Sequence, residues 1–472
     1  MLRVFDGDVT ERSMFGTAVA GAGDVDGDGF ADVIVGMPAH GKNGIASGAA
    51  RLFSGRTGKR LHTVFGDGPG DALGEAVGAA GDVNQDGYDD FLVGAKENRD
   101  PVLNYGTGYA KLYSGRDAAL LRRFGGSRVM DEFGAAVGSA GDVDADGTLD
   151  VYVASLLEGT PRGGQGSVRV FSGKTGVTLR KWMAEPGAGC FGMGVAVAGD
   201  VNRDGRPDLA VGSINPYSSL PGTVWVFSGR DGATLHKLRG PMRSMLGMCV
   251  AAAGDVDRDG YPDIMGSDPS DMSRMGAMGS VKVFSGRDGS VLQAAYGPPA
   301  DQGFGMAVAA TGDLDRDGIP ELVSGAYMAK HKGAMLGKVS LFSWSHVVRV
   351  GAGCSRGPVA PTLGATHPSI GKTISLFVKS SLPRRPGLLV GMSAPELPVL
   401  LGHGCAAYFV DRGSSLLLPF MTDPSGRRSL GCPVPADPQL IGARFSIQAA
   451  LGPTPHPLGF DLSNGVYLRI AN

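Results

Sequence analysis

Cysteine, tryptophan and histidine are scarce in this chain, and long apolar runs are missing. The five cysteines, Cys190, Cys249, Cys354, Cys405 and Cys432, form no C-x-x-C pair and no zinc spacing with the eight histidines. No stretch of 18 apolar residues occurs, so no membrane-spanning helix is expected. Charged residues make up 19% of the chain, below the usual quarter, and the net charge is only −2. No strong global field therefore draws the protein to nucleic acid or to a membrane surface. H-E-x-x-H, P-loop and D-x-S-x-S strings are all absent. Gly353-Cys354-Ser355-Arg356-Gly357 fits G-x-S-x-G formally, but Pro358 and Pro361 follow where a nucleophile elbow needs a helix. No catalytic constellation emerges, and the protein is not expected to be an enzyme. The three tryptophans, Trp182, Trp225 and Trp344, read as packing residues.

Glycine, by contrast, is abundant at 78 residues and follows no collagen period. That pattern predicts many tight turns between short strands, an all-β protein. Charge is unevenly spread. Residues 347–472 carry 11 basic and 5 acidic groups, leaving 33 basic and 41 acidic groups in residues 1–346. Two domains are expected, 1–346 and 347–472.

The first region repeats itself. GDVDGDGFADVIVG from Gly23 returns as related strings from Gly81, Gly141, Gly199, Gly254 and Gly312. The first acidic residues, Asp24, Asp82, Asp142, Asp200, Asp255 and Asp313, are spaced by 58, 60, 58, 55 and 58 residues. Seven to nine residues upstream of each stands Phe-Gly or Leu-Gly: Phe15-Gly16, Leu73-Gly74, Phe133-Gly134, Phe191-Gly192, Leu246-Gly247 and Phe304-Gly305. Apolar runs such as DVIVG follow each loop, and then strands such as SVRVFSG end in turns such as Arg56-Thr57-Gly58. Four short strands per unit of about 58 residues predict a propeller blade, because stacked blades bury the two apolar faces that a lone sheet would expose. Leu2–Phe5 resembles the fourth strand of a unit, whereas the sixth unit lacks the usual turn after Ser343. Residues 2–5 are thus expected to supply the outer strand of the last blade, with Val347–Val350 as the competitor for that slot.

Each acidic loop reads D-x-[DN]-x-D-G-x-x-[DE]. Calcium takes six to eight oxygen ligands, and alternate residues at positions 1, 3 and 5 converge on one point. Gly at position 6 permits the turn, position 7 offers a carbonyl, and position 9 closes the cage. The expected ligands are Asp24, Asp26, Asp28, Phe30 and Asp32 in loop one, and Asp82, Asn84, Asp86, Tyr88 and Asp90 in loop two. Loop three offers Asp142, Asp144, Asp146, Thr148 and Asp150, and loop four Asp200, Asn202, Asp204, Arg206 and Asp208. Loop five offers Asp255, Asp257, Asp259, Tyr261 and Asp263, and loop six Asp313, Asp315, Asp317, Ile319 and Glu321. These sets use 22 of the chain's 46 acidic residues. Such crowding is costly without a cation, since like charges a few ångströms apart repel by about 1 kcal/mol or more. About six Ca²⁺ ions, one per repeat, are expected. An EF-hand would need an acid at position 12, where Val35, Val93, Val153, Val211, Gly266 and Ser324 stand instead.

The Phe-Gly pair, the acidic loop and a degenerate Gly-Ala-Pro-like segment (Val35-Gly36-Met37-Pro38, Val93-Gly94-Ala95-Lys96, Ser324-Gly325-Ala326-Tyr327) resemble FG-GAP repeats. These form the β-propeller heads of integrin α subunits and of many bacterial secreted proteins. Ala154 departs from the pattern in repeat three, as do Leu73 and Leu246 at the Phe position. The family usually has seven blades and six are countable here, so six or seven remain open. The resemblance implies a secreted or cell-surface location, the signal peptide being removed or truncated. It also implies calcium on the underside and ligand binding by loops of the opposite face.

Residues 347–472 share no repeat. Apolar runs separated by Gly and Pro predict a β-sandwich of about eight strands. Cys354 and Cys405 read equally as a disulfide or as two buried thiols. The functional reading is a non-catalytic, calcium-binding adhesion or ligand-binding module, a monomer with an unknown protein or glycan partner. An extracellular polysaccharide lyase or phosphodiesterase is the alternative, and it would need a His/Lys/Arg cluster in the variable loops, such as Ala39–Gly48, Ile214–Gly222 or Asp268–Gly279.

Overall fold

The computed structural model describes residues 4–342 apart from 9–10, 97–105, 160–164, 186–187, 216–219, 274–276, 315–319, 332–333 and 336; beyond 347 it describes strand backbones only. Two compact units are present. One comprises Met1–Asp255, Gly260–Thr311 and Leu322–Phe342, the other Val256–Asp259, Gly312–Glu321 and Ser343–Asn472. Every regular element among the described residues is a strand.

The first unit is a six-bladed β-propeller. Blade one is the sheet β1 (Val19–Gly23), β2 (Asp32–Met37), β3 (Ala49–Phe53) and β4 (Arg60–Phe65), in that order. Blade two is β5 (Ala76–Gly81), β6 (Asp90–Ala95), β7 (Tyr109–Tyr113) and β8 (Leu120–Gly125). Blade three is β9 (Phe133–Gly141), β10 (Asp150–Ser155), β11 (Ser167–Phe171) and β12 (Thr178–Met183). Blade four is β13 (Val195–Gly199), β14 (Asp208–Ser213), β15 (Thr223–Phe227) and β16 (Thr234–Arg239). Blade five is β17 (Val250–Gly254), β18 (Asp263–Asp268), β19 (Ser280–Phe284) and β20 (Val291–Tyr296). Blade six has three strands among the described residues, β21 (Phe304–Ala310), β22 (Leu322–Ala326) and β25 (Lys338–Phe342). A small hairpin, β23 (Lys330–His331) and β24 (Ala334–Met335), lies in its β22–β25 connection. First strands lie against first strands: β1 on β5, β5 on β9, β9 on β13, β13 on β17 and β17 on β21. Their Ala and Gly content permits that approach.

Blade faces meet in continuous apolar layers. Phe91 and Val93 of blade two pack with Ile34, Leu52 and Val64 of blade one, and Trp182 of blade three with Leu209 and Phe227 of blade four. The Phe or Leu of five of the six Phe-Gly pairs is central, Phe15 being only half-buried. Leu73, Phe133, Phe191, Leu246 and Phe304 are all buried, and each contributes about 1.5–3 kcal/mol by leaving water. The partner glycines have a steric role. A Cβ on Gly36 would lie 1.9 Å from the Gly74 carbonyl oxygen of the next blade, and one on Gly212 would lie 1.9 Å from that of Gly247. Only hydrogen fits there, which is why the Gly-Ala-Pro-like segment and the Phe-Gly pair recur together.

The expected outer strand of the last blade does not form over its described residues. Val4 and Phe5 belong to no strand, and Phe5 packs on Phe53 of blade one; Leu2 and Arg3 lie outside the described residues. The competitor is committed elsewhere, because Val348–Val350 pairs with the Gly465–Arg469 strand of the second unit. That unit is built of antiparallel strands. Val348–Val350, Gly465–Arg469, Arg444–Leu451, Pro386–Met392 and Leu416–Met421 form one sheet in that order, and Thr362–Ala365, Thr373–Lys379 and Arg427–Pro433 form another. The Cys354–Cys405 pairing and the G-x-S-x-G string fall outside the described residues.

Candidate functional site

Each acidic loop is the connection of the first hairpin in its blade. The register fixes its ends: Gly23 faces Asp32, Gly81 faces Asp90, Gly141 faces Asp150, Gly199 faces Asp208 and Gly254 faces Asp263. Inside the loop the backbone turns left-handed twice. Position 6 is Gly29, Gly87, Gly147, Gly205 or Gly260, with φ between 83° and 89°. Position 4 is also left-handed, with φ of 60° at Gln85, 56° at Ala145, 58° at Arg203 and 60° at Arg258. A non-glycine residue there costs roughly 1–2 kcal/mol, so the loop is held by other forces.

Those forces are hydrogen bonds from backbone N–H groups to the loop's own carboxylates. In loop one, Asp28 N–H donates to Asp24 Oδ1 at 3.0 Å, Gly29 N–H to Asp24 Oδ2 at 2.8 Å and Phe30 N–H to Asp28 Oδ1 at 3.1 Å. The same three bonds recur in loops two, three and four. Positions 1 and 5 are thereby held as acceptors within the loop, and position 3 also accepts from the position-5 amide, as Asp26 does from Asp28 N–H at 3.2 Å.

Position 9 does more than the sequence suggested. Asp32, Asp90, Asp150, Asp208, Asp263 and Glu321 are all buried. Asp150 Oδ2 accepts from Val143 N–H at 2.9 Å, and its Oδ1 accepts from Gly173 N–H, at the end of the third strand, at 3.1 Å. Asp32, Asp90 and Asp208 make the same pair of bonds. This carboxylate therefore ties the loop to the third strand. Oδ1 of each keeps a further lone pair for a cation, whereas Oδ2 of Asp90 and of Asp208 accepts a second bond, from Asn84 and Asn202 N–H at 3.2 Å. Burial pushes the carboxyls of Asp90, Asp150 and Asp208 up to about 6; the amide bonds oppose the rise, and neighbouring loop carboxylates add to it. Asp32 is raised for the same reasons.

Three loops bring carboxylate oxygens within 4.8 Å of one another: Asp24, Asp26 and Asp32 in loop one, Asp142, Asp144 and Asp146 in loop three, and Asp255, Asp257 and Asp259 in loop five. Oxygen-only donor sets of this charge suit a hard divalent cation. In loops two and four the position-3 residue is an amide, and Asn84 and Asn202 each donate to the carboxylate at position 5, at 3.0 and 2.9 Å. Asp315, Asp317 and Ile319 of loop six lie outside the described residues. Its remaining part follows the pattern, with Leu314 N–H donating to Glu321 Oε2.

The loops are linked from blade to blade. Asp24 N–H donates to Asp89 Oδ2 of loop two at 2.8 Å, and Asp89 N–H donates back to the Asp24 carbonyl at 3.0 Å. The Arg203 guanidinium of loop four lies 4.0 Å from the Tyr261 ring of loop five and donates to the Gly260 carbonyl at 3.0 Å. No sequence motif announced these links, because positions 4 and 8 vary from repeat to repeat.

Among the described residues, no helix is long and apolar enough to cross a membrane. A family model of FG-GAP-like repeats matches residues 138–211 and 255–324, and a model of the FG-GAP repeat matches 15–49 and 73–113. Integrin alpha-5 of Xenopus laevis is 30% identical over 206 residues, which cover 40% of this chain and 19% of the integrin. Integrin alpha-V of Gallus gallus is 28% identical over 216 residues, 43% of this chain and 20% of the integrin. Integrin alpha-IIb of Homo sapiens is 34% identical over 173 residues, 32% of this chain and 16% of the integrin. The matched region thus spans about a fifth of the length of these subunits. Stretches of all six blades thus match FG-GAP repeat models, and the chain is similar in sequence to integrin α subunits.

Proposed function

We propose that the protein is a non-catalytic, extracellular ligand-binding or adhesion module whose propeller is held in shape by calcium. The observation that carries this reading is the recurrence of one carboxylate-lined hairpin loop at one end of every blade. The ions would be held by Asp24, Asp26, Asp28 and Asp32 in loop one and by the corresponding side chains of the other five, with carbonyls from position 7. Bound calcium would supply positive charge where 22 acidic groups are crowded, and would lock loops already held by their own amides.

The antiparallel order of each blade sends the connections between its second and third strands, and those from each fourth strand to the next blade, to the end opposite the acidic loops. These connections differ from repeat to repeat. Variable loops on a rigid scaffold are the usual seat of recognition. The likeness to integrin α subunits supports adhesion and a secreted or cell-surface location. It also favours a protein or glycan partner.

The test is a glycan and protein array probed with the full chain in calcium and in chelator. The reading expects selective binding that chelator abolishes. Binding indifferent to chelator would contradict calcium-ordered recognition, and turnover of an arrayed polysaccharide would replace the module with an enzyme.

A further inference from the structure

The third and fourth strands of each blade carry a cross-strand pair near their middle: Arg51 faces Thr63, Lys111 faces Arg123, Arg169 faces Lys181, Trp225 faces Lys237 and Lys282 faces Ala294. In blades one, two, three and five the third-strand member is a cation that holds a carboxylate from a nearby connection. Arg51 pairs with Glu11 at 2.5 Å, Lys111 with Asp67 at 2.5 Å, Arg169 with Glu158 at 2.5 Å and Lys282 with Asp271 at 2.8 Å.

Blade four breaks the pattern. Trp225 takes the place of the cation, and the local carboxylate, Glu185, is held from the fourth strand by Lys237 and by Arg239 at 3.9 Å. Glu185 is 54% exposed, much as Asp67 is at 56%, against 22% for Glu11, 8% for Glu158 and 1% for Asp271. A cavity of about 270 Å³ lies there, lined by Glu185, Ser213, Asn215, Leu220, Trp225 and Arg239 among others. Trp225 is 8% exposed, and its buried Nε1–H meets no acceptor among the described residues. An indole N–H can only donate. Two cations share one carboxylate here, as they do at Asp67 and Glu158 in blades two and three, but only in blade four, among the described residues, does a tryptophan with an unpartnered N–H line a cavity beside them.

We infer that this cavity binds a carboxylate-bearing sugar, a uronic acid residue. The carboxylate would lie against Arg239, whose planar fork suits two oxygens. An oxygen placed deep in the cavity would accept from Trp225 Nε1–H. The Ser213 hydroxyl, which donates to the Gly189 carbonyl at 3.1 Å and keeps its acceptor lone pairs, and the Asn215 amide line the wall with groups that ring hydroxyls can meet. An acidic peptide side chain would satisfy the cations but leave that polar wall unused. The assignment rests on reading the end opposite the acidic loops as the recognition end, and it names the ligand class for one blade there.

The test is calorimetric titration of the full chain in calcium with glucuronate, glucose and N-acetyl-aspartate amide. Glucuronate is expected to bind saturably, with glucose at least about tenfold weaker, the range set by one charge-assisted hydrogen bond. R239A should weaken glucuronate by about tenfold or more on the same basis. W225F, which keeps an aromatic ring and removes the N–H, should weaken it severalfold. K42A, over the Phe65 ring of blade one, should leave it unchanged. Equal binding of glucose and glucuronate, no glucuronate binding, preference for the acidic peptide, or an R239A titration like that of the parent would overturn the assignment. Array binding that persists while glucuronate fails removes this site alone, whereas a blank array removes the broader reading.

Discussion

Phe5 packs on Phe53 with ring centroids 4.7 Å apart and planes tilted by 37°, close to the relationship that Phe124 has to Phe171 at 4.6 Å and 35°, and like the contact of Trp182 with Phe227 at 5.1 Å. In the latter two pairs the first ring belongs to the outer strand of one blade and the second to the third strand of the next. Phe5 therefore occupies, against blade one, the place that an outer strand of a preceding blade would fill. Phe5→Ala is expected to cost about 2 kcal/mol, less than the 3–5 kcal/mol of a fully buried phenylalanine because Phe5 is only half-buried. Urea denaturation measures it. A change within error would mean that the N-terminal segment adds nothing to closure.

The interblade glycines give a paired prediction. Gly212 faces the Gly247 carbonyl oxygen with no room for a methyl group. At the equivalent place in blade three stands Ala154, which is fully buried. Gly212→Ala should destabilise by about 2–3 kcal/mol through overpacking, and Ala154→Gly by only about 1 kcal/mol. Equal costs in denaturant titrations would show that the spacing between blades is not set by these contacts.

Loop residues at positions 3 and 9 should separate. Asp144 accepts one bond inside its loop, from Asp146 N–H at 3.2 Å, whereas Asp150 anchors the loop to the third strand. Asp144→Ala should reduce the gain in melting temperature on adding calcium and change the chelated protein little. Asp150→Ala should cost about 2–3 kcal/mol with or without calcium, since two buried amides lose their acceptor. Indistinguishable variants would refute the double role of position 9.

Acid sensitivity should come in part from blade five. Burial by itself raises the Asp271 carboxyl, but the Lys282 ammonium and the Ser273 and Ser280 donors override it and hold the group well below the usual carboxylate range. A depressed native value means that this stability is present above the unfolded value near 4 and is lost as pH falls below it. Asp271→Asn should cost about 3 kcal/mol at pH 7, because the Lys282 charge stays buried, and should flatten the stability profile below about pH 4. An unchanged acid limb would place the titration elsewhere.

The sequence was read most easily where physics imposes a period. Loop spacing located all six hairpins, and the position-9 acids begin or directly precede second strands, as at Asp32, Asp150 and Glu321. The side chains that accept from the loop's own amides, at positions 1, 3 and 5, are ones the spacing singles out as ligands. Less legible were features that depend on a neighbouring blade. Nothing in repeat three says that Leu149 packs where a Cβ on Gly81 would stand, or that Gln85 and Ala145 must adopt left-handed φ. Trp225 was legible as a packing residue, and it is buried. That it replaces a cation in a recurring ion pair became visible only once the strands were in register.

The central claim is that calcium in the acidic loops holds the propeller together, and thermal unfolding of the full chain tests it most directly. Melting should be followed at saturating calcium, in chelator, and in chelator back-titrated with calcium. A ligand that binds only the native state stabilises it by about 2.7 kcal/mol per site at a hundred times its Kd. Several occupied loops should therefore raise the melting temperature by many degrees, reversibly and with dependence on calcium concentration. Identical melting in calcium and in chelator would contradict the account.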